Sequence, residues 1–120
     1  MEELTYDNFL LAMQEIAKRI NKLPGKSIYG IRRGGMVPAV YLSHLTGRRI
    51  VPSPGKKTII VDDICDSGTT LYDYKKLGYK TATIYYHKQN IVEPDIWIYE
   101  KKDDWILFPW ETRKSSKGTE

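Results

Sequence analysis

Apolar residues recur at alternating steps of four and three at Phe9, Met13, Ile16, Ile20 and Leu23, one stripe of a helix whose other faces are polar. Thr5 or Asp7 suits the start of that helix, and Pro24-Gly25 ends it. Ser27-Ile28-Tyr29-Gly30-Ile31 then reads as a short strand that runs through Arg32-Arg33-Gly34-Gly35 into a second helix, opened by Pro38 and closed at Gly47. Arg49-Ile50-Val51 is another short strand, followed by a tight connection at Pro52-Ser53-Pro54-Gly55. Thr58-Ile59-Ile60-Val61 lacks polar alternation, as a strand buried on both faces of a parallel sheet does. It empties into residues 62–70, a helix over residues 71–77 that stops at Gly78, and a strand over 81–86.

Strands alternating with helices predict an α/β domain with a mostly parallel central sheet and flanking helices. Beyond Tyr86 the pattern loosens, leaving Ile96-Trp97-Ile98-Tyr99 and Trp105-Ile106-Leu107-Phe108 as two short candidate strands of a small C-terminal cap. Residues 112–120 are polar and lack an apolar anchor, so disorder is expected there and residues 1–111 form the single domain. Ligands of such sheets bind at the carboxyl ends of the strands. The loops at 32–35 and 62–70 both leave carboxyl ends and so face one crevice.

Charge sharpens this picture. Nineteen Lys and Arg against fifteen Asp and Glu give a net +4, yet between Ile16 and Val61 there are ten basic residues and no acid. Acids resume abruptly at Asp62-Asp63, so the chain offers cations in one half and concentrated carboxylates in the other. A polyanion that also carries a metal suits both, while Lys18, Arg19, Lys22 and Lys26 read as a solvated helix face and loop. No apolar run is long enough to span a bilayer, and the acidic start Met1-Glu2-Glu3 is unlike a secretory signal, so a cytoplasmic protein is expected. A lone cysteine, Cys65, excludes an internal disulfide and by itself builds no zinc site.

Residues 62–70 carry the chemistry. Two adjacent carboxylates ending a buried strand need a cation or hydroxyl donors, which magnesium or a sugar diol supplies. Asp66-Ser67-Gly68-Thr69-Thr70 then sets small residues and hydroxyls at a helix N-terminus, where free N–H groups favour a phosphate. A ribose phosphate satisfies both halves. Helix capping accounts for Asp66, Ser67 and Thr69, but for neither Asp62 nor Asp63.

The run Ile59-Ile60-Val61-Asp62-Asp63-Ile64-Cys65-Asp66-Ser67-Gly68-Thr69-Thr70 closely resembles the phosphoribosyl pyrophosphate (PRPP) motif of type I phosphoribosyltransferases. Gly30-Ile31-Arg32-Arg33-Gly34-Gly35-Met36-Val37-Pro38-Ala39 and Trp105-Ile106-Leu107-Phe108-Pro109-Trp110-Glu111 are similar to segments of the xanthine/hypoxanthine-guanine branch, so the resemblance spans residues 4–111. It implies that Asp62 and Asp63 hold the ribose hydroxyls, with Asp63 contacting Mg2+, directly or through water. It implies further that Ser67, Gly68, Thr69 and Thr70 wrap the 5-phosphate, and that Asp66 lies near N7 of the purine and moves its proton. Arg33 and Gly34 resemble the pyrophosphate loop, whose peptide bond is often cis in the family, and Arg32 stands where that branch usually has serine. Trp105 resembles the aromatic that stacks on the base, and the Ile106 backbone the group that reads its edge at position 2. For the lysine that donates to the purine 6-oxygen, spacing selects His87, whereas permanent protonation at neutral pH selects Lys88. His44 and Cys65 read as structural.

One departure stands out. The family carries a long flexible loop before the carboxylate strand, which closes over the reacting centre; only Pro52-Ser53-Pro54-Gly55-Lys56-Lys57 remains here. Lys56 and Lys57 would have to screen the pyrophosphate in its place, or a neighbouring subunit of a homo-oligomer would cover the opening. The resemblance implies a purine phosphoribosyltransferase that uses PRPP, Mg2+ and an oxopurine base; a regulatory protein that binds PRPP or nucleotide without efficient turnover is the alternative. Neither a membrane nor a nucleic acid is an expected partner, since Asp62-Asp63 would repel nucleic-acid phosphates without a metal.

Overall fold

The computed structural model describes residues 1–66 and 69–118. In chain order the elements are β1 (Glu2–Glu3), α1 (Tyr6–Ile20), β2 (Ser27–Gly30), α2 (Met36–Thr46), β3 (Arg49–Ile50), β4 (Thr58–Cys65), α3 (Thr69–Lys76), β5 (Lys80–Tyr86), β6 (Tyr99–Glu100), β7 (Ile106–Leu107) and α4 (Arg113–Gly118). Five strands form one parallel sheet in the order β3-β2-β4-β5-β6, as the alternation of elements predicts.

The α1 stripe forms as its spacing dictates. Phe9, Met13, Ile16 and Ile20 are buried against Ile28, Ile59, Val61, Ala82 and Ile84 of the sheet, together with Ala39 and Leu42 of α2. Thr5 is the N-cap, its Oγ1 accepting the Asn8 N–H at 3.2 Å. The helix stops at Ile20 rather than running to Leu23, and Arg48 takes up the end it leaves. That guanidinium donates to the carbonyl oxygens of Gly25 (2.9 Å) and Ile20 (3.3 Å) and to Asn21 Oδ1 (2.8 Å). Of these, only the Ile20 oxygen belongs to the helix, and it also accepts the Leu23 N–H at 2.8 Å. Gly47 closes α2 with φ of 74°, a left-handed conformation that glycine adopts without a steric cost.

Successive residues of a strand face opposite sides of its sheet. Ile28 lies in the core with α1 and α2, whereas the Tyr29 ring lies 6.3 Å from that of Tyr74 on α3. The chain therefore leaves β2 toward α2 on one face and leaves β4 toward α3 on the other. Adjacent strands that send their chains to opposite faces open a crevice between their carboxyl ends.

Three elements depart from the sequence reading. The first is β4, which continues to Cys65 because β5 supplies pairing partners, Thr83 for Asp62 and Tyr85 for Ile64. Main-chain hydrogen bonding thus carries the carboxylates inside the strand rather than in the loop after it. A second is the pair of C-terminal strands. Ile96 makes only an isolated bridge to Ala82, β6 is Tyr99–Glu100, and β7 pairs in parallel with β1, at a dipeptide with no strand signature. The third is the polar stretch expected to be disordered, in which α4 forms. Thr112 and Ser115 cap each other, the Ser115 N–H donating to Thr112 Oγ1 (3.0 Å) and the Thr112 N–H to Ser115 Oγ (2.9 Å).

The connection 51–57 also lies elsewhere than expected. β3 pairs with the start of β2, Ser27 with Arg49 and Ile28 with Ile50, and Lys57 returns to accept the Lys26 N–H at 2.7 Å. The turn therefore sits at the amino end of the sheet. Five residue steps along the strand take Lys57 to Asp62, about 17 Å at ~3.3 Å each. Lys56 and Lys57, expected to screen a pyrophosphate, are at the wrong end of the strand to do so. Among the described residues, no helix is long and apolar enough to cross a membrane.

Arg48→Ala is expected to lower stability by about 1–3 kcal/mol, because three acceptors lose a charged donor. Arg48→Lys should recover little of it, since a point charge cannot span the three. Urea unfolding with an unchanged slope measures this; full recovery by lysine would contradict the account.

Candidate active site

The crevice is built by glycine. A Cβ at Gly34 would land on the Asp63 carboxylate, and one at Gly35 on the Val61 carbonyl oxygen, so the loop after β2 is pressed against the end of β4. Main-chain bonds hold it there: Ile31 N–H to the Val61 oxygen (2.9 Å), Gly35 N–H to the Ile31 oxygen (2.7 Å) and Met36 N–H to the Arg33 oxygen (3.0 Å). Within this loop the Arg32–Arg33 peptide is cis, and both arginines are exposed.

Asp63 is half-buried beneath that loop. Burial pushes its carboxyl up to about 6; hydrogen bonding with Asp62 opposes the rise, and the nearby Glu111 charge adds to it. Asp62 Oδ1 accepts the Asp63 N–H at 2.8 Å. Glu111 is itself held by its Oε1, which accepts the Phe108 N–H at 3.0 Å. It is the last residue of the Trp105-to-Glu111 motif, a signal that could have marked it as a site residue. At this end of the sheet burial, with the Glu111 charge added, disfavours the ionised form of Asp63.

Asp66 is exposed just beyond β4, and Lys101 brings its Nζ to 3.7 Å from Asp66 Oδ1. Ser67 and Gly68 lie outside the described residues, as does the side chain of Thr69. Thr69 and Thr70 open α3, and Thr70 is exposed. Cys65 is buried, and burial pushes its thiol up to about 11, so it is inert at neutral pH and acts in packing.

The base candidates divide. Trp105 is half-exposed, and its Nε1 donates to Ser116 Oγ at 2.6 Å; that hydroxyl donates in turn to the Ile106 carbonyl at 3.2 Å. Ser116 of α4 thus fastens both residues, a function the polar composition of the tail concealed. His87 has its Nε2 3.8 Å from Asp103 Oδ1, and its N–H donates to the Cys65 oxygen at 3.0 Å. The Lys88 ammonium lies 3.7 Å from Glu100 Oε1 and 5.7 Å from the Trp97 ring centroid. The geometry thus brings Gly34 to Asp63 and joins Trp105 to Ile106, while Lys88 turns to Glu100 and Trp97. Lys101 had no sequence signal beyond being one lysine among many.

No protein-family model matches the chain. It is 29% identical over 118 residues to a xanthine-guanine phosphoribosyltransferase of Gluconobacter oxydans, with 74% of this chain and 70% of that protein covered. A xanthine-guanine phosphoribosyltransferase of Desulfotalea psychrophila is 31% identical over 113 residues, covering 72% and 71%. Among solved structures, a purine phosphoribosyltransferase from Pyrococcus horikoshii superposes with a TM-score of 0.80 at 29% identity, covering 92% of this chain and 93% of that one. The Helicobacter pylori xanthine-guanine-hypoxanthine phosphoribosyltransferase has the same fold, with a TM-score of 0.80 at 20% identity. At this identity and coverage, the chain belongs to the xanthine-guanine phosphoribosyltransferase family of purine phosphoribosyltransferases.

Proposed function

We propose that the protein transfers the phosphoribosyl group of magnesium-bound PRPP to an oxopurine, giving a nucleoside 5'-monophosphate and pyrophosphate. The observation that carries this reading is the contact of Gly34 with Asp63, which makes one site of the loop after β2 and the carboxylate end of β4. Asp62 and Asp63 accept hydrogen bonds from the ribose hydroxyls. The start of α3 at Thr69 and Thr70, with Ser67 and Gly68 before it, receives the 5-phosphate, where free N–H groups and the helix dipole favour an anion. Arg33 and Gly34 hold the pyrophosphate. Trp105 stacks on the purine and the Ile106 backbone reads its edge. The bond from C1' to the pyrophosphate oxygen breaks and the bond from C1' to purine N9 forms; the proton on N7 passes to Asp66, and pyrophosphate leaves with the electron pair.

Mg2+ fits the donors present. Asp62 and Asp63, with the Glu111 charge near Asp63, offer hard oxygen donors. Among the described residues, no group of three or more His, Cys, Asp and Glu side chains forms a ready cage. That suits an ion held by one or two carboxylates and otherwise by substrate phosphates and water. When bound it would neutralise charge on the pyrophosphate. A regulatory PRPP or nucleotide-binding protein is the second reading, raised by the short connection of residues 51–57 between β3 and β4.

Two outcomes test this. With PRPP, Mg2+ and xanthine, guanine or hypoxanthine supplied separately, nucleoside monophosphate should form, with some free ribose 5-phosphate because water reaches C1'. Asp62→Asn combined with Asp63→Asn should weaken PRPP at least tenfold, about 1.4 kcal/mol. Tight PRPP binding without nucleotide from any base would favour the regulatory reading, and unchanged affinity in the double variant would remove the carboxylates from the site. The other outcome follows from the raised Asp63 carboxyl. Burial favours its neutral form, so folding bears no penalty below pH ~4, a growing one between ~4 and ~6, and the full one above. Asp63→Asn should therefore be more stable than the parent at pH 7.5, by on the order of 1–3 kcal/mol, with the gain fading at pH 4. Urea unfolding at both pH values checks this, and an equal difference at the two would contradict it.

A further inference from the structure

The buried hydroxyl groups of the sheet have partners, with one exception among the described residues. Ser27 and Thr58 share a hydrogen bond at 2.8 Å, and Thr81 Oγ1 donates to Asp95 Oδ2 at 3.2 Å while accepting the Asp95 N–H at 3.1 Å. Thr83 of β5, 1% exposed, has no partner for its Oγ1. A buried hydroxyl left in this way costs stability, and a valine would fill the same space without that cost.

The register of the sheet sets a carboxylate beside it. Val61 and Ala82 are paired across β4 and β5, and both belong to the core with α1 and α2. Asp62 and Thr83 are the next pair, so their side chains leave the sheet together on the opposite face, toward α3, from strands about 4.8 Å apart. Tyr74 of α3 marks the same place: burial pushes its hydroxyl up, Tyr29 adds to the rise, and so does the Asp62 charge. The unpartnered donor thus neighbours the carboxylate that receives the ribose hydroxyls in the proposed function.

We infer that Thr83 is a positioning residue for Asp62, donating its hydroxyl to that carboxylate when the ribose diol is bound. The inference rests on the transfer reading above. Asp62 Oδ1 accepts the Asp63 N–H at 2.8 Å, and an ionised carboxylate has about four acceptor positions, so that bond, the diol and Thr83 can be accommodated together. Seating a sugar takes water away from the carboxylate, and each remaining donor then counts for more. Thr83 acts from behind Asp62 and does not touch the substrate.

Two substitutions separate this role from packing. Thr83→Val keeps the shape and removes the donor, whereas Thr83→Ser keeps the donor. Urea unfolding should give Thr83→Val a midpoint at or above the parental one, because an unpartnered hydroxyl has been removed. Calorimetry should show the same variant binding magnesium-bound PRPP about tenfold more weakly, as loss of a hydrogen bond to a charged group provides, with Thr83→Ser within about twofold of the parent. A nucleotide without the diol, 2',3'-dideoxyguanosine 5'-monophosphate, should bind the parent and Thr83→Val alike. If Thr83→Val binds PRPP as the parent does, unfolds at lower urea, or weakens both ligands equally, the assignment is overturned while the phosphoribosyl site stands; so it is if Thr83→Ser binds as weakly as Thr83→Val. If the parent itself does not bind PRPP, the transfer reading and this inference fall together.

Discussion

Gly34 lies against the Asp63 carboxylate with no room between them for a side chain, and the rest of the site is arranged around that contact. Pressing a loop onto a carboxylate strips water from it. Asp63 is accordingly pushed up toward neutral pH, with Asp62 hydrogen-bonded to it and the Glu111 charge raising it further. Isolated, such a group is a liability to folding. In the proposed function a cation and a diol would offset that liability. Perturbed ionisable groups concentrated at one end of a sheet are common at functional sites.

The sheet order makes the contact possible. β2 and β4 are neighbours, yet one sends its chain to α2 and the other to α3, on opposite faces. Both loops begin at the same level, and the pairing of Gly30 with Val61 brings the following glycines alongside the aspartates. Arg48 serves the same end at a distance, tying the end of α1 to the start of β3 so that the short edge strand is held at the bottom of β2. The connection that returns from β3 meets β4 at its amino end, where the Lys57 oxygen accepts the Lys26 N–H.

Features governed by local chemistry were legible in the sequence. The α1 stripe, its cap among the two candidates Thr5 and Asp7, and the stop at Gly47 depend on residues close together in the chain, and the periodicity or the residue type states them directly. Features governed by register were not. The extra length of β4 depends on β5, β1 on β7, and the position of residues 51–57 on where β3 pairs. Lys101, Glu111 and Ser116 were missed for the same reason: each acts through a partner far away in sequence or packed from another element, and composition marks them as ordinary surface residues.

The central claim is that the glycine loop and the aspartates form one binding site. It is tested most directly by calorimetry of magnesium-bound PRPP against Gly34→Ala, with Gly55→Ala as a control, since a Cβ at Gly55 meets nothing within 4 Å. The account predicts that Gly34→Ala, still folded by its unfolding transition, loses at least tenfold in affinity, about 1.4 kcal/mol, while Gly55→Ala binds as the parent does. Equal, undiminished affinity in both variants would contradict it.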